Sequence, residues 1–461
     1  MQFDRAETGF PSVADRRERG KQARKLSPRS AVGRWEPPPD RRDPVGIIVE
    51  GTKTAIPSLV PIRYGRMSAS PFTFYRGTAA IMAADLRPTA VTGIKAQLCG
   101  DAHLSNFGLY GAPNRSMVFD INDFDETLAG PWEWDLKRLA ASFVLASREN
   151  GWGAKVQRSM ATASSLAYRQ AMRAFAEMDN LEVWYSRLET DQLAALQKPT
   201  KAGRKAVKKA RGKDSERAVR KLSEVVDGQR RIVHDPPLVV PFKDFFEDAE
   251  RDRVQQGIPE MFMKYRDTMQ GNRQHLLGSY QLIDMALKVV GVGSVGSRAF
   301  MALLQGHDEE DLLFLQIKEA GKSALAQYGG LSWRRDPGRR VVEGQRLMQA
   351  TSDILLGWSS IGGNHFYFRQ LWDMKGSIDT ARADERAMRQ YASICGWTLA
   401  RGHARSGDRI AIAGYLGKSD AFETAIADFG VRYADQAERD YQTFMAAADS
   451  GRIQLDTTVN K

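Results

Sequence analysis

The tract Gly100-Asp101-Ala102-His103-Leu104-Ser105-Asn106 is followed, beyond a short hairpin, by Asp123-Phe124-Asp125. These residue types suit the activation of a hydroxyl beside a phosphate-bound metal ion. Magnesium takes hard oxygen ligands and usually only one or two protein carboxylates, with phosphate and water completing its shell. A further Asp, not committed to the metal, can accept the proton of an attacking hydroxyl. The same tract also reads as an Asx-rich turn, because Asp, Asn and Ser hydrogen-bond their own backbone. Both readings stand at this point.

A second group of residues lies far downstream. Gly291-Val292-Gly293-Ser294-Val295-Gly296 has the G-x-G-x-x-G spacing that lets backbone amides approach phosphates with no side chain between them. Strand-like sequence follows it, which argues against a dinucleotide-binding turn and for a flexible hairpin over a nucleotide. Next comes Leu312-Leu313-Phe314-Leu315-Gln316-Ile317-Lys318. A Lys at the end of an apolar strand must find a partner or water, since burying an unpaired ammonium is costly. Nucleotide phosphates and a helix-borne carboxylate would satisfy it, with Glu343 the first candidate and Glu319 a competitor facing the opposite side of the strand. An edge strand ending in solvent is the plain alternative.

The elements that must carry these residues follow from periodicity. Met1 to Pro44 is rich in Arg, Asp and Pro and reads as disordered. Ala79 to Leu86 reads as a helix, and Ile94 to Cys99 as the strand delivering the Asp101 loop. Phe107 to Tyr110 and Met117 to Ile121 form a hairpin turned at Ala112-Pro113-Asn114-Arg115. Asp135 to Arg148 is a helix with Leu136, Leu139, Ala140, Phe143 and Val144 on its buried face. Helices continue near 155–195, and the Lys/Arg-rich run 201–211 reads as a solvated helix face or insertion. After Pro236-Pro237 and Pro241, helices are expected to about Val290. Val289 to Leu304, Leu312 to Ile317 and Phe366 to Leu371 follow as strands, and helices return from Ala381.

Composition narrows the classes. The 461 residues exceed what one small core organises, and 42% hydrophobic with 27% charged residues describes an ordinary globular chain. No apolar run is long enough to span a bilayer and no signal-peptide pattern opens the chain, so no membrane partner is expected. Cys99 and Cys395 suit buried positions in a reducing cytoplasm. The net charge of +11 is concentrated in the first ~45 residues and in Lys198 to Arg231, which suits an anionic partner. Neither zinc-finger spacing nor aromatic–basic interleaving is present, which argues against nucleic acid. Oligomeric state is not legible.

Gly100, Asp101, His103 and Asn106 resemble the H-G-D-x-H-x-x-N loop of protein-kinase-like phosphotransferases of the aminoglycoside and choline branch, with Cys99 replacing the first His. Asp123-Phe124-Asp125 resembles that branch's metal motif, and Asp135, twelve positions on, its structural Asp. More narrowly, the stretches around Arg66-Met67-Ser68, Trp132 to Asp135, Gln316 to Ala320, Val342 to Arg346 and His403 to Asp408 resemble an uncharacterised bacterial family, domain of unknown function 2252.

The resemblance implies an α+β, two-lobed kinase-like fold, with a small antiparallel-sheet lobe and a large helical lobe. It also implies a circularly permuted order, because the glycine loop and Lys318 follow the Asp101 loop. Leu399 to Ala404 looks like the helix end that normally leads into that loop. The expected division is a tail at 1–45, the first part of the large lobe at 46–195, a basic helical insertion at 196–280, a small nucleotide-binding lobe at 281–375, and completing helices at 376–461. ATP and magnesium are the implied cofactors. Asp101 would be the base, His103 a brace of the loop, and Asn106 and Asp123 metal ligands with Asp125. Asp120 is a rival ligand by hairpin length. Gly291, Gly293 and Gly296 would cover the phosphates, Lys318 would contact them, and Glu343 would orient Lys318. Phe366 to Leu371, including Arg369, would form the inter-lobe hinge against adenine. Arg405 and Asp408 would anchor nearby backbone. The implied activity is phosphoryl transfer to a hydroxyl of an unidentified small molecule or protein, and the basic segment suits an anionic acceptor. The alternatives are a nucleotide-binding pseudokinase and nucleotidyl transfer to protein.

Overall fold

The computed structural model describes residues 11–191, 200–212, 215–246, 248–289, 291–329, 336–371 and 374–459. The chain is mixed α+β with several antiparallel sheets. Its largest core gathers on the helix Glu133–Glu149, whose Leu136, Leu139, Ala140, Phe143 and Val144 are completely buried, as the periodicity requires. The helices Ala154–Glu177, Glu385–Ser406 and Ala421–Asp449 pack around it. One close approach depends on a missing side chain: a Cβ on Gly396 would lie 2.0 Å from the Ser164 carbonyl oxygen. Trp132, at the start of the central helix, stacks on Tyr168 with ring centroids 5.4 Å apart. Cys99 and Cys395 are buried free thiols. None of the described helices is long and apolar enough to cross a membrane.

The six-stranded antiparallel sheet has the order Gly357–Ile361, Asn364–Gln370, Leu312–Glu319, Ala299–Gln305, Gln281–Lys288, Val239–Pro241. Leu312–Glu319 is interior and buried on both faces, which explains its unbroken apolar run. The helix Pro337–Met348 covers part of the sheet, and Tyr265 of the helix Asp248–Asp267 stacks on Phe368, centroids 4.1 Å apart.

Two expectations change here. Gln281–Lys288 is a strand, not the end of a helical run, because it pairs with Ala299–Gln305 along nearly its full length. Residues 291–297, expected to join a strand, are a series of turns.

The opening stretch 1–45, expected to be disordered, contains the helix Val13–Leu26 with a Ser12/Asp15 capping box. It buries only Gly20 and Ala23. Its attachment is polar instead: Arg24 and Arg29 donate to the carbonyls of Gly414, Tyr415 and Leu416 at the end of the helix Arg409–Leu416. Cations at a helix C-terminus are favourable, and no apolar periodicity announces them. Residues 1–10 lie outside the described residues, as do 192–199 of the expected helical run and 213–214 of the basic segment.

Within that segment Lys201–Arg211 is a helix seated on Ala206 and Ala210, with its Lys/Arg face outward. Three smaller sheets complete the chain. Lys95–Leu98 pairs with Leu128–Pro131, the hairpin Phe107–Gly111/Met117–Ile121 adds Leu188–Glu189, and Ser223–Val226 pairs with Gln229–Ile232.

Candidate active site

The strand Lys95–Leu98 ends in Gly100, at φ 87°, where a Cβ would fall 2.2 Å from the Glu126 carbonyl oxygen. Glycine alone fits there. Asp135 accepts the backbone N–H groups of Cys99 (2.8 Å) and Gly100 (3.0 Å). Its other neighbour is His403 Nε2 at 3.3 Å, and His403 Nδ1 is 2.8 Å from the Tyr168 hydroxyl. The loop closes on itself, Asn106 Nδ2 donating to the Asp101 carbonyl at 2.8 Å, and is tied to the central helix by Leu104 N–H, which donates to the Ser142 hydroxyl at 3.0 Å. The tract is a hydrogen-bonded loop held through main-chain oxygens, which leaves the Asp101 carboxylate to Arg138.

Asp101 accepts a hydrogen bond from Arg138 Nε, and its second oxygen is 3.6 Å from His103 Nε2. Burial raises its carboxyl above the usual range, against the pull of Arg138 and Arg76. His103 is buried, and burial together with Arg76 and Arg138 pushes its pKa well below the usual imidazole range. Its ring packs edge-on to Phe72.

The two motif carboxylates divide their roles. Asp125 takes Lys318 Nζ, the Tyr367 hydroxyl at 2.8 Å and the Ser294 hydroxyl at 3.3 Å. Burial raises its carboxyl, but Lys318 and Tyr367 outweigh that and leave it below the usual range. Among the described residues Asp123 accepts only the Asp125 N–H at 3.1 Å, with Lys318 Nζ at 3.9 Å, and its side chain is 30% exposed. Burial and the adjacent Asp125 raise its carboxyl, against Lys318. Asp123 and Asp353 are the carboxylates that line the cleft, and Asp353 accepts the N–H groups of Leu355 and Gln370.

Asp120, the rival ligand, is removed from the cleft. It is 1% exposed, ion-paired with Arg401, and accepts the N–H groups of Ile121 and Ala350. Its strand position sends it into the core.

Glu343 does not orient Lys318. It pairs with Arg339 at 2.6 Å one turn away, and Glu319 pairs with Arg298 at 3.2 Å. The helix Pro337–Met348 instead turns Gln345 toward the cleft, together with Gln349 just beyond its end.

The glycine loop is tied down at both ends. Ile56 N–H donates to the Gly296 carbonyl at 2.8 Å and Arg66 to the Gly291 carbonyl at 2.7 Å. Gly291 and Gly296 have φ of 71° and 99°. A Cβ on Gly293 would stand 3.3 Å from the Arg76 carbonyl oxygen. Of the expected hinge, Arg369 binds Gln316 Oε1 at 2.8 Å and the Asn122 carbonyl at 3.1 Å. The N–H groups of Gln370 and Leu371 go to Asp353 and the Phe314 carbonyl, so an adenine ring would not meet free amides there. Arg405 stacks on Trp184, and Asp408 caps the helix Arg409–Leu416.

Asp123, Lys318, Arg369, Gly291, Ser294 and Gln345 line one cleft of about 330 Å³. Among the described residues, no three His, Cys, Asp or Glu gather at metal-holding distance. Asp123, the cleft carboxylate with the fewer partners among the described residues, fits an ion that draws most of its shell from phosphate and water. Sequence reasoning missed Arg138, Tyr367 and Arg76. Arg138 alone carried a signal, one helical turn beyond Asp135.

No curated protein and no solved structure matches the chain. A family model described as "uncharacterized protein conserved in bacteria (DUF2252)" matches residues 55–447, well over half of the sequence. The chain belongs to that bacterial DUF2252 family.

Proposed function

We propose that this cleft performs ATP- and magnesium-dependent phosphoryl transfer to a hydroxyl, on a kinase-like scaffold in circularly permuted order. The observation that carries the reading is the meeting of Lys318 and Asp123, 3.9 Å apart, in the cleft that the glycine loop also borders. A cation, a metal-directed carboxylate and a glycine turn are the parts that phosphoryl transfer requires. The permuted order is supported by the C-terminal helix Glu385–Ser406, which ends against the strand feeding the Asp101 loop. Ser406 there accepts the Gln97 N–H at 3.2 Å.

Bound Mg-ATP would supply the phosphoryl group and the divalent charge that neutralises it. Asp123 and Asn106 are the residues to hold the ion. Lys318 neutralises phosphate oxygens, exchanging part of its contact with Asp125. Asp101 orients the acceptor hydroxyl and takes its proton as the new oxygen–phosphorus bond forms and the bond to the ADP leaving group breaks. Arg138 keeps Asp101 in place, and Asp135 fixes the loop beneath it. Catalysis of this kind is positioning and charge stabilisation, which the hydrogen-bonded loop provides.

Asp101→Asn should abolish ATP consumption while leaving Mg-ATP binding intact, and undiminished consumption by the purified variant would sink the assignment of the base. The pairing of Asp101 with Arg138 favours one second reading, a nucleotide-binding module without transfer. Thermal stabilisation by Mg-ATP with no phosphorylated product across a metabolite panel would select it.

A further inference from the structure

Arg76 is used by nothing described so far. It follows the short helix Pro71–Tyr75, and this segment touches both the Asp101 side and the glycine loop. On one side, the Tyr75 carbonyl accepts Arg138 NH2 at 2.8 Å, and Arg138 holds Asp101. On the other, the Arg76 carbonyl abuts Gly293 of the glycine loop. The guanidinium lies within electrostatic reach of Asp101, Asp123 and Glu149, yet none of these carboxylates comes within ion-pair distance of it. Its Nε is buried and has no hydrogen-bond partner among the described residues.

The contrast with Arg138 is informative. Arg138 is satisfied by the Asp101 carboxylate and the Tyr75 carbonyl, whereas Arg76, a partly exposed residue, keeps a buried Nε–H unmet among the described residues. An unsatisfied buried donor is costly, the more so on a charged group. Guanidinium is also the side chain whose fork matches phosphate oxygens. In a transfer reaction the acceptor oxygen sits at the base and the metal at the donor phosphates. A cation in reach of both Asp101 and Asp123 therefore lies beside the group in flight.

We propose that Arg76 binds the transferred phosphoryl group, acting as an arginine finger built into the chain. The inference rests on the phosphotransferase reading. Arg76 stays protonated throughout, donating hydrogen bonds to the non-bridging oxygens while the acceptor's proton passes to Asp101.

The test compares Arg76→Met and Arg76→Lys with the wild type for binding of Mg-ADP, Mg-ATP and Mg-ADP with aluminium fluoride, by calorimetry. Arg76→Met should leave Mg-ADP affinity within about twofold, weaken Mg-ATP about tenfold, and lose the tightening that aluminium fluoride gives; turnover should fall by on the order of 10³-fold. Arg76→Lys should recover part of the Mg-ATP affinity, since it keeps the charge without the fork. Equal weakening of Mg-ADP and Mg-ATP would mean that Arg76 only seats the glycine loop, and overturns the proposal. Unchanged binding of all three probes overturns it too. Should the wild-type protein bind none of them, the phosphotransferase reading itself fails, a result distinguishable from either.

Discussion

Lys318 and Asp125 form an ion pair across 193 positions of sequence, with the Lys318 side chain only 4% exposed. Burial lowers the Lys318 pKa, but Asp125, Tyr367 and Asp123 outweigh it and keep the ammonium charged. Removing one partner of a buried pair strands the other. Lys318→Met should therefore destabilise the protein by about 3 kcal/mol, and Lys318→Met/Asp125→Asn should recover most of that loss. Urea unfolding of the three proteins checks it. A double variant no more stable than the single one would show that the pair's charges are not the cause.

Glu343 supplies a control. It makes a partly exposed ion pair with Arg339 and is not among the residues lining the cleft. Such pairs contribute roughly 0–1 kcal/mol. Glu343→Gln should change stability by less than about 1 kcal/mol and leave Mg-ATP affinity unaltered. A tenfold loss of affinity, measured by titration, would restore Glu343 as the partner of Lys318.

What was legible in the sequence was local. The Asp101 loop, the Asp123 motif and the Lys318 strand each lie within a few residues whose types and spacing carry the signal. The strand Leu312–Glu319 announced itself by apolar content alone. What was not legible depends on rotation and on distant partners. Glu343 and Gln345 differ by two positions, about 200° around a helix, and only packing decides which faces the cleft. Asp120 and Asp123 both fit the spacing after Asn106, but only Arg401, far along the chain, withdraws Asp120. The helix Val13–Leu26 is held by Arg24 on two distant carbonyls. Arg76 sat in a stretch with no pattern of its own.

Asp135 should matter through both of its oxygens. They accept the N–H groups of Cys99 and Gly100 at the root of the Asp101 loop, so an amide in its place can receive only one and turns an NH2 toward the other. Leaving one buried N–H unmet costs about 1–3 kcal/mol. Asp135→Asn should lose that much stability in chemical denaturation and speed hydrogen exchange at Gly100. Wild-type protection of the Gly100 amide would contradict this brace.

Lys137 provides a test of burial with no bearing on the cleft. It is 2% exposed on the central helix, 4.8 Å above the Phe429 ring, and among the described residues Glu133, one turn earlier and beyond ion-pair distance, is the carboxylate that acts on it. Burial lowers its pKa to about 8. Between that value and the ordinary one the unfolded chain binds more protons than the native protein, so stability from this group rises with pH across the window. Below about pH 8 the native ammonium is charged and the whole penalty is present, roughly 3 kcal/mol before the ring's attraction returns about 1. Lys137→Met, similar in volume, should therefore be more stable than wild type at pH 7 by about 2 kcal/mol. The difference should shrink through pH 8 and vanish above the unfolded lysine pKa of 10.5. Denaturant titrations at pH 7, 9 and 10.5 measure it, and a gain independent of pH would assign the effect to packing instead of charge.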